Sequence, residues 1–132
     1  MKVKKELVAE VVAEASKKMS DANYSANMVG GFVQSQAPVA QFISAHDGEL
    51  GGADAIVNVI FHCALINECL RRAGGRPRTL SYEDLDAAAH GNSLTGLERK
   101  QPALADFIIS NIENVEAQKL IALVALALAA TS

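Results

Sequence analysis

Between Lys4 and Met19 the apolar residues Leu7, Val8, Val11, Val12 and Ala15 recur every three or four positions, while Glu6, Glu10, Glu14 and Lys17 fall on another side. That period predicts an amphipathic helix. Ser20-Asp21-Ala22-Asn23 is a polar break rich in capping groups, and Tyr24 to Gln36 reads as a second helix containing the pair Gly30-Gly31. A glycine inside a helix costs about 1 kcal/mol, so the pair calls for close approach of a neighbouring helix or for a break. Pro38 suits a first helical turn, where its missing N–H would be unpaired anyway, and predicts a short helix to about Ala45.

Gly48 and Gly51-Gly52 interrupt the chain before its longest predicted helix, Ala53 to Ala73. There Ile56, Val57, Val59, Ile60, Phe61, Ala64, Leu65, Ile66 and Leu70 cover most of the circumference, the pattern of a helix in the middle of a bundle. Gly74-Gly75-Arg76-Pro77-Arg78 ends it. Ser81, followed by Glu83 and Asp84, caps a helix that runs to about His90-Gly91. A turn over Leu94 to Lys100 leads to Pro102, which starts a helix through Asn111, and Asn114 or a near neighbour caps a last helix to about Ala130. The expected fold is all-α: one domain over residues 1–132, an irregular or orthogonal bundle of about five to seven helices.

The segments around two of the prolines resemble each other. Gln36-Ala37-Pro38 leads to Phe42-Ile43 and a long apolar helix, and Gln101-Pro102 leads to Phe107-Ile108 and another. The proline offsets differ by one residue and the loops differ in length, so a duplicated helical hairpin competes with the plainer reading that such pairs are common helical features.

Composition agrees with this fold. The chain has 132 residues, half hydrophobic and a fifth charged, which excludes disorder and a two-domain enzyme. Few aromatics, no tryptophan and abundant alanine favour an aliphatic helical core. The net charge of −3 argues against a nucleic-acid binder. Cys63 and Cys69 sit on one predicted helix, about 9 Å apart along its axis, too far to pair. With no CxxC or Cys/His zinc spacing, reduced thiols in a cytoplasmic protein are expected. Glu6, Glu10 and Glu14 interrupt what would be the apolar part of an export signal, and the uncharged run Leu120 to Ala130 falls short of the roughly 18 residues of a membrane span.

Three constellations could carry chemistry. Asp54, Asn58 and His62, spaced by four, form one stripe on the central helix, and Cys69 continues it. The stripe faces a polar seam, a cavity or the surface; a ligand or metal site on Asn58, His62 and Cys69, with His46 and Glu49 as companions, competes with a hydrogen-bonded histidine beside structural thiols. His46-Asp47-Gly48-Glu49 has no second copy of the kind that carboxylate-bridged iron sites need. Cys63 and His62 point about 100° apart on a helix, which argues against a nucleophile–base pair. Finally, Arg71, Arg72, Arg76 and Arg78 crowd one loop, so Arg72, Arg76 and Arg78 are candidates for an anion site, unless they only complement a helix C-terminus. No Gly-x-Gly-x-x-Gly or Walker-type loop occurs.

The last helix, with Leu120, Ile121, Leu123, Val124, Leu126 and Leu128, is the second one apolar on most sides. A chain of this size easily surrounds only one such helix, which makes a homo-oligomer through this apolar surface the leading expectation. The sequence thus reads as a non-enzymatic protein acting through protein contacts. The alternative is a small-molecule or metal-binding protein built on His62. No catalytic residue, resident metal or cofactor is assigned.

Overall fold

A computed structural model describes residues 2–132. Among the described residues it contains nine helices and no strand: α1 (Lys5–Lys18), α2 (Ala22–Ser35), α3 (Ala37–Ser44), α4 (Asp47–Leu50), α5 (Ala53–Arg72), α6 (Tyr82–Ala88), α7 (Ser93–Lys100), α8 (Pro102–Asn111) and α9 (Val115–Thr131). The all-α class is as expected, whereas the number of helices exceeds the five to seven predicted. Two short elements account for the difference. α4 is a single turn that buries Leu50 and is closed by Gly51 at φ +97°. α7 was expected as a turn; the Asn92 side chain caps it by accepting the Thr95 N–H at 3.1 Å, and only Ser93 and Leu97 are buried. So few inward positions leave no readable period.

The Gly30-Gly31 expectation also needs correction. α2 passes through both glycines unbroken, and a Cβ built at either would meet nothing within 4 Å, so no helix approaches closely there. Both glycines lie on the solvent side, while Phe32, with half-buried Met28, Val29 and Val33, holds the other side to the core. Burying one such side chain is worth about 2 kcal/mol, enough to offset the glycine penalty.

The chain is organised as two matching halves. A shift of 65 residues carries Gln36, Val39, Phe42 and Ile43 onto Gln101, Leu104, Phe107 and Ile108; a shift of 77 carries Val3 and Val8 onto Leu80 and Leu85; a shift of 58 carries Cys63, Ile66 and Leu70 onto Ile121, Val124 and Leu128. All of these are buried except the half-buried Phe42. Helix packing obeys the same exchange. α2 lies on α5 as α7 lies on α9, α1 on α5 as α6 on α9, α2 on α3 as α7 on α8, α3 on α5 as α8 on α9, and α1 on α8 as α6 on α3. α5 and α9 pack on each other across the centre. The similarity around the two prolines is therefore the legible part of a two-fold arrangement that extends over most of the chain.

Two glutamines join the halves. Gln36 and Gln101 each end one helix and start the next, with φ −132°, ψ 52° and φ −139°, ψ 70°, and each N–H donates to the carbonyl four residues back at 2.7 Å. Gln36 Oε1 accepts the Leu80 N–H at 2.8 Å while its Nε2 donates to the Arg78 carbonyl at 2.7 Å. Gln101 Oε1 accepts the Val3 N–H at 2.8 Å. Each half thus holds the extended segment that leads into the other half's first helix.

α9 is enclosed by its own chain. α4, α5, α6, α7 and α8 all pack against it, and Ile121, Ala122, Ala125 and Leu128 are fully buried. α5 has the length and apolar composition to cross a membrane; half of that stretch is buried among the chain's other helices, as in a central core helix.

The halves differ in the lengths of their helices: α7 has 8 residues where its counterpart α2 has 14. α4 belongs to the first half alone, and α6, at 7 residues, is half as long as its counterpart α1, at 14.

Candidate functional site

The short α6 leaves a groove between α6, α7 and α9. α6 starts at a reciprocal capping box in which Ser81 Oγ accepts the Asp84 N–H at 3.2 Å and Asp84 Oδ2 accepts the Ser81 N–H at 2.9 Å. The chain leaves α6 through Gly91 at φ +74°, a left-handed conformation that glycine adopts without strain. At Gly96 α7 faces α9: a Cβ there would sit in van der Waals contact with Leu126 Cδ1, at 3.4 Å.

The groove encloses about 380 Å3, with Ala88, Leu126, Ala127 and Ala130 among its apolar lining and Arg78, His90 and Lys100 among its polar lining. That volume lies within the range of small-ligand sites, about 300–1,000 Å3. Asp84 also lines it, but its oxygens are occupied: Arg78 Nη2 donates to Oδ1 at 2.9 Å and Nη1 to Oδ2 at 2.8 Å. The Ser81 N–H and the Arg78 guanidinium hold the Asp84 carboxyl below its ordinary pKa, so it is an anion at neutral pH. Lys100 and His90 form no ion pair among the described residues.

The corresponding place in the first half is different. Asn27, Gly31, Ser35 and Glu68 line a smaller groove of about 270 Å3, at the positions that match Asn92, Gly96, Lys100 and Leu126. Its floor is an acid instead of a leucine. Arg72 stands where the second half has Ala130, and its guanidinium bonds Glu14 and Glu68 and reaches Glu10 at 3.4 Å. A salt-bridged arginine thus stands beside the smaller groove, and an alanine lines the larger one.

The sequence-predicted residues fall as follows. Asp54 and Asn58 face solvent, and His62 is half-buried with its ring beside Phe61 and Phe107, at centroid distances of 5.7 and 5.8 Å. His62 Nδ1 lies 2.7 Å from the Asn58 carbonyl, which can only accept, so Nδ1–H is the donor. Cys69 is in the core, 2% exposed, and burial pushes its thiol up to about 11. Cys63 is wholly buried and pushed up further by desolvation; both cysteines are free. Asn58 lines a separate groove with Asn111, Glu113 and Asn114 that includes neither His62 nor Cys69. Among the described residues no three His, Cys, Asp or Glu side chains come together to hold a metal ion.

Of the arginines, Arg72 is tied to acids, Arg76 is exposed without an ion pair among the described residues, and Arg78 alone reaches the groove. The fold does not bring the three together. Sequence reasoning missed His90, Gly96, Lys100, Leu126 and Ala130 as a set. The signal that could have found them is the paired 65- and 58-residue register, which sets Ser35 against Lys100 and Arg72 against Ala130. Comparison with protein-family models, with curated proteins and with solved structures finds no match to this chain.

Proposed function

We propose that this chain is a small-molecule-binding protein whose site is the groove between α6, α7 and α9. The observation that carries this reading is the asymmetry between the halves: Arg72, paired with three glutamates, occupies the place that Ala130 leaves open. Two of the groove's polar groups are already engaged. Asp84 has its oxygens occupied by Arg78 and Ser81, and the Thr131 hydroxyl donates to the Ala127 and Leu128 carbonyls, so neither is set as a base or nucleophile.

Ala130→Arg tests the reading by copying the first half's arginine. Residue 130 is exposed near the end of α9, so the variant is expected to fold as the wild type does. Binding of a neutral apolar probe, octanamide, measured by calorimetry, is expected for the wild type and lost in the variant. Equal binding by both proteins would place the site elsewhere.

Self-association is the second reading. The apolar side chains of α9 that suggested it are largely used inside one chain, but Val57 and Val115, matching positions of α5 and α9, are 46% and 58% exposed. Native mass spectrometry separates the two readings, a dimer mass supporting a pairing surface and a monomer mass leaving the groove alone.

A further inference from the structure

We propose that the occupant of this groove is a short amphipathic anion, with its acid group at Arg78, His90 and Lys100 and its apolar tail over Ala88, Leu126, Ala127 and Ala130. The proposal rests on the groove reading above and names the class of ligand it takes.

Charge complementarity carries it. The only acid lining the groove is Asp84, and it is already matched by Arg78 through both oxygens. That pairing fixes Arg78 at the rim with guanidinium hydrogens to spare, because five donors serve two carboxylate oxygens and the Thr79 carbonyl at 3.2 Å. Lys100 and His90 then remain as cationic or proton-donating groups with no partner acid among the described residues. In the first half the position of Lys100 is Ser35, whose hydroxyl donates to the Phe32 carbonyl, and the floor is Glu68. The open half thus has Lys100 where the first half has Ser35, and Leu126 where the first half has the acid Glu68. An acid group at one end of a short hydrocarbon matches both features, whereas a neutral ligand leaves the rim unused and a cation is repelled by it.

A carboxylate and a phosphate monoester share this chemistry, and the probes separate them. Calorimetric titration of the wild-type protein with octanoate, octyl phosphate, octanamide and octylammonium keeps the tail constant and varies the head. At least one anion is expected to bind tighter than octanamide by about fivefold, the ceiling for one solvent-exposed ion pair, and octylammonium weakest of all. Whichever anion is the tighter names the head group. Lys100→Gln, at an exposed position, is expected to reduce the anion preference, and raising the salt concentration to do the same. Octanamide binding as tightly as both anions, or an anion preference indifferent to Lys100→Gln and to salt, would overturn the ligand class while leaving the groove reading intact. Failure of all four probes to bind would overturn both.

Discussion

Gln36 Oε1 accepts the N–H of Leu80 at 2.8 Å across 44 residues of chain, and both residues are buried. Truncating the side chain leaves the Leu80 amide without its acceptor inside the core, a loss of about 1–3 kcal/mol. Gln36→Ala is therefore expected to lower the urea midpoint clearly, and Gln101→Ala to do so through Val3. Gln41→Ala is the control, since it loses only an exposed bond from the Tyr82 hydroxyl. A control as damaging as Gln36→Ala would remove the glutamines from their joining role.

This pair also shows what was legible in the sequence. Helix periods, the Ser81 and Asn114 caps and the proline starts are local, and they were readable because three or four neighbouring residues determine them. The glutamine bonds were not, because Gln36 and Leu80 meet only when the halves fold together. The same applies to the groove. Arg78 stood out as one of a run of basic residues, but its neighbours there, His90, Lys100 and Ala130, come from three further places in the chain. The stripe Asp54, Asn58, His62 is one helical face; what the period could not say is that burial changes along it, from exposed Asp54 and Asn58 through half-buried His62 to Cys69 in the core, two turns further on at nearly the same angle.

Asp84 makes stability acid-sensitive. Its folded pKa is depressed, chiefly by the Ser81 N–H and then by Arg78, so the folded state binds this proton more weakly than the unfolded chain does. Its contribution is fully present above the ordinary carboxylate range and is lost as pH falls through the depressed value. Thermal midpoints of the wild type and Asp84→Asn should therefore differ at neutral pH and converge in acid. A gap independent of pH would show that the carboxylate's charge is irrelevant there.

Cys63 behaves as an apolar core residue. It occupies the position that α9 fills with Ile121, and its burial disfavours the thiolate. A thiol reagent such as dithiobis(nitrobenzoate) should leave both cysteines intact in the native protein and titrate both in urea. Cys63→Val should cost less than about 1.5 kcal/mol, as a swap of similar volume does, and Cys63→Asp far more. Rapid native labelling would contradict the buried placement.

Removing Arg72 should enlarge the first half's groove. Arg72→Ala frees Glu14, whose carboxyl Arg72 holds below its ordinary pKa, and empties the place equivalent to Ala130. Glu68 lines the existing groove, so octylammonium is the expected ligand of the enlarged one rather than octanoate. Calorimetry of the variant should show octylammonium binding that the wild type lacks. An unchanged titration would mean that Arg72 does not limit the first half's groove.

The central claim is that the α6–α7–α9 groove receives a ligand, and amide chemical-shift mapping of the isotope-labelled protein with octanoate tests it most directly. The account predicts saturable shifts concentrated at Gly96, Lys100, Leu126, Ala127 and Ala130, with the matching positions Gly31, Ser35, Glu68, Cys69 and Arg72 unmoved. Shifts of equal size in both halves, or none at the groove, would contradict it.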